Sequence, residues 1–308
     1  PEASVAWLKY FIEGVGSSAK PSIFVLHNED VPLSAEFLAE AKLRRAVVLR
    51  SPERALRALA RVTQFGRRQV ANMSGQRPAP PQRVNLSLGK GTQAEWAGKI
   101  ALREIGIQTP PGALVTSLGE ALAVVEEIGY PVVIKAQSNG LAHKSEVGGV
   151  LLNIADDASL TTAWEQLHQN VSRAAPDLKL DGVLIEKMGA RGLELVVGAS
   201  RDSQWGPILM VGLGGVWVEA LGDVQLLPPD LPHAVIVERL RDLKASKLLT
   251  GFRGSEPADL DAVAEVVQKL GALMLSNPEL IEVDVNPLVV YPKGSGVVAL
   301  DALFVTEQ

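Results

Sequence analysis

The stretch IEVDVNPLVVYPKGSGVVALDALFV, residues 281–305, predicts two strands joined by a tight turn at 292–295. Extending the register outward from that turn pairs Asn286 with Asp301, and directly opposed residues have Cβ atoms about 5 Å apart on one face of a sheet. Asp284 lies two residues before Asn286, so its side chain points to the same face. The hairpin therefore predicts two carboxylates and an amide oxygen close together.

Oxygen donors of this kind suit a hard cation. Mg²⁺ binds through one or two carboxylates, and substrate phosphates complete its coordination. The alternating apolar residues Val283, Val285 and Leu288 would pack behind such a cluster. A half-buried hairpin with a solvated polar face explains the same alternation, so the residues of the hairpin alone leave both interpretations open.

A second candidate site is the segment VVIKAQSNGLAHKSEVGGV, residues 132–150. Lys135 ends an apolar strand, where its ammonium can reach an anionic ligand. The backbone of Gly148 and Gly149 can approach a phosphate closely. His143 lies in the intervening loop. A solvated lysine and a surface loop with a surface histidine are the alternative interpretation.

Two shorter segments carry weaker signals. Residues 185–188, IEKM, form a strand end that offers backbone polar groups and an apolar side chain to a purine, or simply a strand leaving the core. Residues 212–215, GLGG, place three glycines after an apolar strand. Glycines in that position indicate either backbone close to a ligand or a sharp turn.

Composition excludes several classes of protein. The chain has 308 residues, 47% of them hydrophobic, which is enough for a substantial core. It has no cysteine, which excludes disulfides, thiolate metal sites and a cysteine nucleophile and is compatible with a reducing cytoplasm. The net charge of −5 provides no basic surface for nucleic acid, and no apolar stretch is long enough to predict a membrane span.

Familiar nucleotide motifs are missing as well. Gly89-Lys90-Gly91 fails the P-loop pattern at its last position, and residues 212–217 place a tryptophan where a dinucleotide fingerprint needs its third glycine. The two commonest nucleotide-binding folds are therefore disfavoured.

The pattern along the chain predicts an incomplete α/β domain followed by a larger one. Residues 1–72 contain the order strand, helix, strand, helix, which predicts a parallel sheet with too few strands to be complete. Gly and Pro residues interrupt 73–91, the predicted linker. Thr92-Gln93-Ala94-Glu95 is a capping-box signature that predicts the start of a helix running to about residue 106.

Eight segments, taken in order between about residues 104 and 303, resemble the ATP-grasp half of the nucleoside-diphosphate-forming acyl-CoA synthetases. That family includes ADP-forming acetyl-CoA synthetase and, more distantly, the β subunit of succinyl-CoA synthetase. The matching segments are GIQTPPGALVTS, IGYPVVIKAQS, HKSEVGGVLLN, GVLIEKM, LELVVGASRDSQWGPILMVGLGG, GFRG, EVDVNPL and VALDA.

The resemblance implies a fold class and domain bounds. It implies an α/β chain, with an α+β ATP-grasp fold over 92–308 whose small lobe covers about 110–185 and whose large lobe covers about 186–308. Residues 1–72 resemble the C-terminal part of the flavodoxin-like CoA-ligase domain that precedes ATP-grasp in single-chain members.

The resemblance also implies roles for individual residues. Asn286 and Asp301 match the Mg²⁺ ligands, and Asp284 matches an acidic residue that meets the phosphohistidine of a swinging loop. His143 matches a histidine proposed as a second phosphoryl carrier. The remaining matches imply nucleotide-binding residues: Lys135, Gly148, Gly149, Glu186, Lys187, Met188, Glu194, Gly214 and Gly215.

The implied reaction is acid + CoA + ATP ⇌ acyl-CoA + ADP + phosphate, through a phosphohistidine. The CoA-binding domain and the main phosphohistidine loop of the family have no counterpart here, since His27, His168 and His233 lack its surroundings. CoA and the carboxylic acid would therefore be bound by domains on a partner chain or in a longer protein, in a homo-oligomer or a complex. An ATP-grasp carboxylate–amine ligase and a nucleotide-binding regulatory module are the alternative functions, and the expected location is cytoplasmic.

Overall fold

The first of two units in the computed structural model, residues 1–77, is built on a pair of short parallel strands. The structure describes residues 2–16, 20–26, 32–74, 86, 88–138, 144–215 and 222–307. The first unit contains α1 (Glu2–Val15), β1 (Phe24–Val25), α2 (Ala35–Leu43), β2 (Val48–Leu49) and α3 (Pro52–Ser74). Phe24 pairs with Val48 and Val25 with Leu49, which confirms the predicted parallel arrangement.

The core of the first unit is small. Val5, Leu8, Phe37 and Ala41 are its buried apolar residues. The Ser34 hydroxyl caps α2 by accepting a hydrogen bond from the backbone of Phe37, as expected for a residue at that position. Helix α3 continues to Ser74, two residues into the predicted linker, and 75–85 lie outside the described residues.

The second unit, residues 78–308, contains two sheets. The first has the antiparallel strand order β3-β6-β4-β5, with α5 and α6 against one face, and these elements are called the small lobe. Its core residues include Val125, Ile134, Leu167 and Ile185. The elements are β3 (Gly112–Val115), α5 (Leu118–Ile128), β4 (Val132–Gln137), β5 (Val150–Ile154), α6 (Asp157–Ala174) and β6 (Gly182–Lys187).

The second sheet has six strands in the order β11-β10-β7-β8-β9, with β12 also paired to β10. Together with the helices against it, it is called the large lobe. Its apolar core is larger than that of the small lobe and includes much of the last long helix. The elements are α4 (Glu95–Glu104), β7 (Leu193–Asp202), β8 (Gly206–Leu213), β9 (Val224–Leu227), α7 (His233–Arg241), α8 (Ser246–Leu249), α9 (Leu260–Ser276), β10 (Leu280–Val290), β11 (Val297–Ala299) and β12 (Leu303–Thr306).

Helix α4 begins differently from the sequence prediction. Thr92 forms an antiparallel bridge to Val305, and the backbone N–H of Gln93 donates to Phe304 O at 2.9 Å. The helix starts at Glu95, with Ala94 as its N-cap and no side-chain cap. The predicted capping box is therefore wrong, because residues 92–93 extend the sheet edge and the Glu95 side chain is buried.

Other predicted elements are confirmed. The Ser117 side chain caps α5, as a serine before a helix should, by accepting a hydrogen bond from the backbone N–H of Glu120. The strand end predicted around 185–188 and the last hairpin also form. Within the part of the chain that the structure describes, no helix is both long and apolar enough to cross a bilayer.

Candidate functional site

Three oxygen-bearing side chains, those of Asp284, Asn286 and Asp301, form what we call the acid cluster of the large lobe. The β10–β11 and β10–β12 ladders share one register, so Asn286 and Asp301 fall opposite each other between them. Val283 and Val285 are fully buried, which leaves Asp284 and Asn286 on the other face of the strand. The register predicted from the turn is confirmed.

Asp284 experiences an environment that opposes its charge. Burial is the largest cause of a rise in the pKa of its carboxyl to about 6, and the negative charges of Glu282 and Asp301 add to it. A hydrogen bond with Asn286 acts in the opposite direction. A cation placed among these oxygens would offset the repulsion between the carboxylates.

The acid cluster opens onto a cavity of about 350 Å³, which is called the acid-cluster cavity. Its walls come from the segment leading into α4, the end of β4, Lys144 and the acid cluster itself. The lining residues are Thr92, Gln93, Ala94, Glu95, Ala136, Gln137, Ser138, Lys144, Asp284, Asn286, Asp301, Ala302 and Leu303. Both lobes therefore contribute to one cavity.

Glu95 is the centre of an ionic network beside this cavity. Its carboxylate pairs with Lys99 at 2.7 Å and with Lys135 at 2.6 Å, and it also contacts Lys144. The Lys144 ammonium lies 3.2 and 3.1 Å from the two carboxylate oxygens of Asp301. A continuous series of ion pairs thus connects the buried Glu95 to Asp301 of the acid cluster.

The network also joins the lobes. Lys99 on α4 donates to both carboxylate oxygens of Glu186 on β6, at 2.6 and 2.5 Å. Lys135 on β4 lies 3.2 Å from Glu186 and donates to the backbone oxygen of Leu300 at 2.7 Å. Since α4 packs in the core of the large lobe through Leu102, these contacts connect two separate sheets.

Glu95 and Lys135 are held in their ionised forms, whereas burial, together with the charge of Lys135, lowers the pKa of Lys99. Burial raises the pKa of Glu95, but the attraction of Lys135, Lys99 and Lys144 outweighs it and lowers that pKa to about 2. Burial lowers the pKa of Lys135, but the attraction of Glu95, Glu186 and Asp301 outweighs it, and the net direction is upward. Ionised groups in contact stabilise one another in this way.

Glu95 and Lys99 were not among the candidate site residues that the sequence indicated. The available signal was a Glu–Lys pair four residues apart on a helix, a spacing that usually marks an exposed ion pair. Here Lys99 and Glu95 are almost completely buried. Burial, which depends on the packing of α4, distinguishes the two cases.

Gly148 and Gly149 close the loop beside β4. The N–H of Gly149 donates to Lys144 O at 2.8 Å, and its own carbonyl accepts from Ala136 N. Gly148 has φ +66, a left-handed conformation that glycine adopts without strain. His143, predicted as a phosphoryl carrier, lies outside the described residues.

The predicted adenine-binding segment lies at the boundary between β6 and the next strand. The N–H of Lys187 donates to Pro111 O and that of Met188 to Pro131 O. The Lys187 ammonium donates to Tyr130 O at 2.6 Å. Lys187 and Met188 line a second cavity, of about 580 Å³, that the acid cluster does not line. Glu186 is in the ionic network instead.

The structure brings Glu194, Gly214 and Gly215 together. The N–H of Gly214 donates to Glu194 O at 2.7 Å, at the end of the β7–β8 ladder. A Cβ on Gly214 would lie 3.1 Å from the Glu194 backbone, so the close approach requires a small residue. Residues 216–221 lie outside the described part of the chain.

Within the described ranges, no group of three or more His, Asp or Glu side chains is arranged to hold a metal. The acid cluster instead combines two carboxylates with one amide oxygen, all of them hard donors. Such a set leaves positions open for oxygens of a bound substrate.

Comparison with known proteins identifies the family. The family model of the ATP-grasp domain matches residues 85–305. The β subunit of acetate–CoA ligase [ADP-forming] II from Pyrococcus furiosus is 38% identical over 218 residues, which cover 70% of this chain and 92% of that subunit. This chain belongs to the family of the ADP-forming acyl-CoA synthetases.

Other family members resemble it over different lengths. A trans-feruloyl-CoA synthase, FCS1, from an unknown prokaryotic organism is 39% identical over 95% of this chain and 41% of its own length. The chain thus spans about two fifths of that single-chain relative. Relatives of this family are ADP-forming acid–thiol ligases.

A solved family member gives the matching fold. The dinucleotide-forming acetyl-coenzyme A synthetase 1 of Candidatus Korarchaeum cryptofilum, in complex with coenzyme A and Ca-AMPCP, has a TM-score of 0.68 and 36% identity, covering 71% of this chain and 94% of that one. The same protein with Mg-AMPPCP, its phosphohistidine segment pointing towards the nucleotide site, has a TM-score of 0.60 and 34% identity, covering 70% and 93%. The expected ATP-grasp fold is confirmed.

Proposed function

We propose that this chain is the nucleotide-binding and phosphoryl-transfer part of an ADP-forming acyl-CoA synthetase. The overall reaction would be acid + CoA + ATP ⇌ acyl-CoA + ADP + phosphate, through a phosphohistidine. The observation that carries this proposal is the cavity in which the acid cluster of one lobe faces the ionic network that joins both lobes. Family membership supports it, since relatives are named for this chemistry.

Asn286 and Asp301 would hold Mg²⁺. Their donor set fits, because both present hard oxygen atoms, and the Lys144 ammonium already lies within 3.2 Å of both Asp301 oxygens. When bound, Mg²⁺ would supply positive charge to the transferring phosphoryl group. Asp284, on the same face, would meet the phosphohistidine as its counterpart in the family does.

The remaining residues would bind the nucleotide. Lys135 would supply positive charge to the phosphates once it exchanges one of its carboxylate partners, and the absence of side chains at Gly148 and Gly149 would let the backbone pass close to them. The purine would lie against the segment 186–188. The corner formed by Glu194, Gly214 and Gly215 would complete the nucleotide site.

The phosphoryl group would be transferred in successive displacement steps. A histidine nitrogen of the swinging loop attacks the γ-phosphorus of ATP, and ADP leaves; the phosphoryl group then passes to a carboxylate oxygen of the acid, and CoA displaces phosphate. His143 would act as a second carrier. CoA, the acid and the swinging loop would be held by other domains or by a partner chain, as the separate β subunits of relatives suggest. We propose the cytoplasm as the location of the reaction.

Calorimetry of Mg-ADP binding tests the metal and nucleotide site. D301A should abolish the Mg²⁺-dependent part of the affinity and leave the circular dichroism spectrum unchanged. D177A, which removes an exposed carboxylate of the small lobe, is the matched control and should bind as the wild type does. Equal affinity of D301A and the wild type would exclude the site.

Two assays test the reaction itself. With the partner domains present, ADP formation should require both an acid and CoA; formation driven by an amine instead would favour the carboxylate–amine ligase. With labelled ATP, acid-labile phosphate on this chain should appear and should be lost in H143A. If label appears only when a partner chain is added, His143 is not an independent acceptor.

A further inference from the structure

Lys144 lies between two carboxylates that belong to different parts of the site. On one side its ammonium contacts Glu95, and on the other side it lies 3.2 and 3.1 Å from the two oxygens of Asp301. The Lys144 side chain is 13% exposed and that of Asp301 is 38% exposed. The contact with Asp301 is thus the more solvated of the two.

The position beside Asp301 is the one that a divalent cation would take. A metal ion binds carboxylate oxygens at about 2.0–2.6 Å. An ammonium 3.2 and 3.1 Å from the two Asp301 oxygens lies on the side where such an ion would bind, and the two positive charges would repel each other. We propose that Lys144 occupies the cation position beside Asp301 in the nucleotide-free chain, and that Glu95 retains it over the cavity when a divalent cation takes Asp301. This inference rests on the proposed metal site.

Glu95 is suited to retain the ammonium. Its side chain is 1% exposed and is fixed by Lys99 at 2.7 Å and Lys135 at 2.6 Å. A carboxylate anchored by two other lysines stays in place when Lys144 moves. Glu95 is therefore a positioning residue, since it acts through the lysine.

The exchange would couple the metal to the nucleotide. Once the metal holds Asp301, Lys144 keeps one carboxylate partner, and its remaining N–H donors face the acid-cluster cavity that it lines. Phosphate oxygens in that cavity accept charge-assisted hydrogen bonds. Lys144 would thus oppose the metal when the nucleotide is absent and support binding of the nucleotide when the metal is present.

Titration of the nucleotide-free chain with Mn²⁺ tests this exchange. Binding is measured by calorimetry and by electron paramagnetic resonance. K144M should bind Mn²⁺ about two- to fivefold more tightly than the wild type, because a partly exposed ion pair contributes up to roughly 1 kcal/mol and no longer competes. Its affinity for Mg-ADP should fall. A variant that had only lost local structure would weaken both ligands.

Three further variants complete the experiment. K144R keeps a cation and should return Mn²⁺ affinity towards the wild-type value. E95Q should weaken Mn²⁺ binding, because Lys144 then lacks the carboxylate that would hold it away from Asp301. K293M removes the same charge from an exposed position on the turn of the last hairpin and should leave Mn²⁺ affinity unchanged.

The outcomes separate the exchange from the metal site. Loss of Mn²⁺ binding in D301N, together with wild-type affinity in K144M, would overturn the exchange and leave the metal site standing. Equal tightening in K144M and K293M would also overturn it, as a general effect of charge. Equal Mn²⁺ binding in D301N and the wild type would overturn both proposals. Should E95Q fail to fold, K144M and K144R decide the result.

Discussion

The ammonium of Lys99 contacts both carboxylate oxygens of Glu186, at 2.6 and 2.5 Å, and neither side chain is exposed. Charges taken out of water lose several kcal/mol of solvation each, which their mutual attraction offsets only while both are present. Lys99 belongs to a helix in the large-lobe core and Glu186 to the small-lobe sheet. Replacement of either residue alone should therefore destabilise the contact between the lobes.

Replacement of Lys99 by methionine should reduce the free energy of unfolding by about 3–5 kcal/mol, because it leaves the Glu186 carboxylate buried without its main partner. Urea denaturation of the full chain measures the change. R239A, which breaks an ion pair between Arg239 and the 52% exposed Asp242, should cost less than about 1 kcal/mol. Similar losses in the two variants would contradict this account.

The ionisation of Glu95 predicts a pH dependence of stability. Its pKa lies at about 2 in the folded chain, below the ordinary value of 4.5. A depressed pKa contributes stability that is fully present above pH 4.5 and is lost as the pH falls towards 2, because the unfolded chain binds the proton first. The groups that face Glu95 and cause the shift are Lys99, Lys135 and Lys144.

E95Q should therefore be less stable than the wild type at pH 7, with a difference that shrinks steadily between pH 4.5 and pH 2. Urea denaturation across this range gives the two curves. E126Q, which changes an exposed carboxyl on α5, serves as the control. A constant difference between E95Q and the wild type would show that the carboxylate charge is not involved.

Replacement of a helical glycine by alanine should change the stability of the chain in opposite directions at two positions. A Cβ on Gly271 of α9 would lie 2.1 Å from Pro229 O, whereas a Cβ on Gly119 of α5 meets nothing within 4 Å. G271A should lose about 1–3 kcal/mol through overpacking, and G119A should gain up to about 1 kcal/mol through lower chain entropy. Thermal denaturation compares them, and changes of the same sign would refute the packing described for Gly271.

Replacement of Lys135 should lower the affinity for nucleotide, although its side chain is largely buried. K135M removes a charge-assisted donor worth about 1.5–3 kcal/mol, so Mg-ADP affinity should fall at least tenfold. K179M, at an exposed position of the small lobe, should bind normally. An unchanged affinity in K135M would mean that Lys135 only joins the lobes.

Local sequence rules predicted the parts of the molecule that depend on near neighbours. The register that sets Asn286 opposite Asp301 follows from the turn between them, and the Ser117 cap follows from one hydroxyl. The parallel pairing of β1 and β2 followed from the order of elements. Each depends on residues within a few dozen positions.

The ionic network could not be predicted in the same way. Glu95 and Lys99 have the spacing of an exposed helical pair, and Glu186 follows a strand that could simply leave the core. Only the packing of α4 against β12 and its position beside β6 bury them together. The assignment of Lys135 to phosphate binding came from family resemblance, which carries no information about its contacts with Glu95 and Glu186 in the nucleotide-free chain.

Strand β10 has a consequence for how the protein is made. It lies between β7 on one side and β11 and β12 on the other, so the large-lobe sheet lacks an interior strand until residues 280–306 have left the ribosome. Glu95 is synthesised some 200 residues before Asp301. Contacts so distant along a chain form slowly, and until then the large lobe would expose its apolar helix to chaperones. The proposed metal ligands Asn286 and Asp301 lie in or just after this strand, so metal could stabilise the chain only once synthesis has passed Asp301.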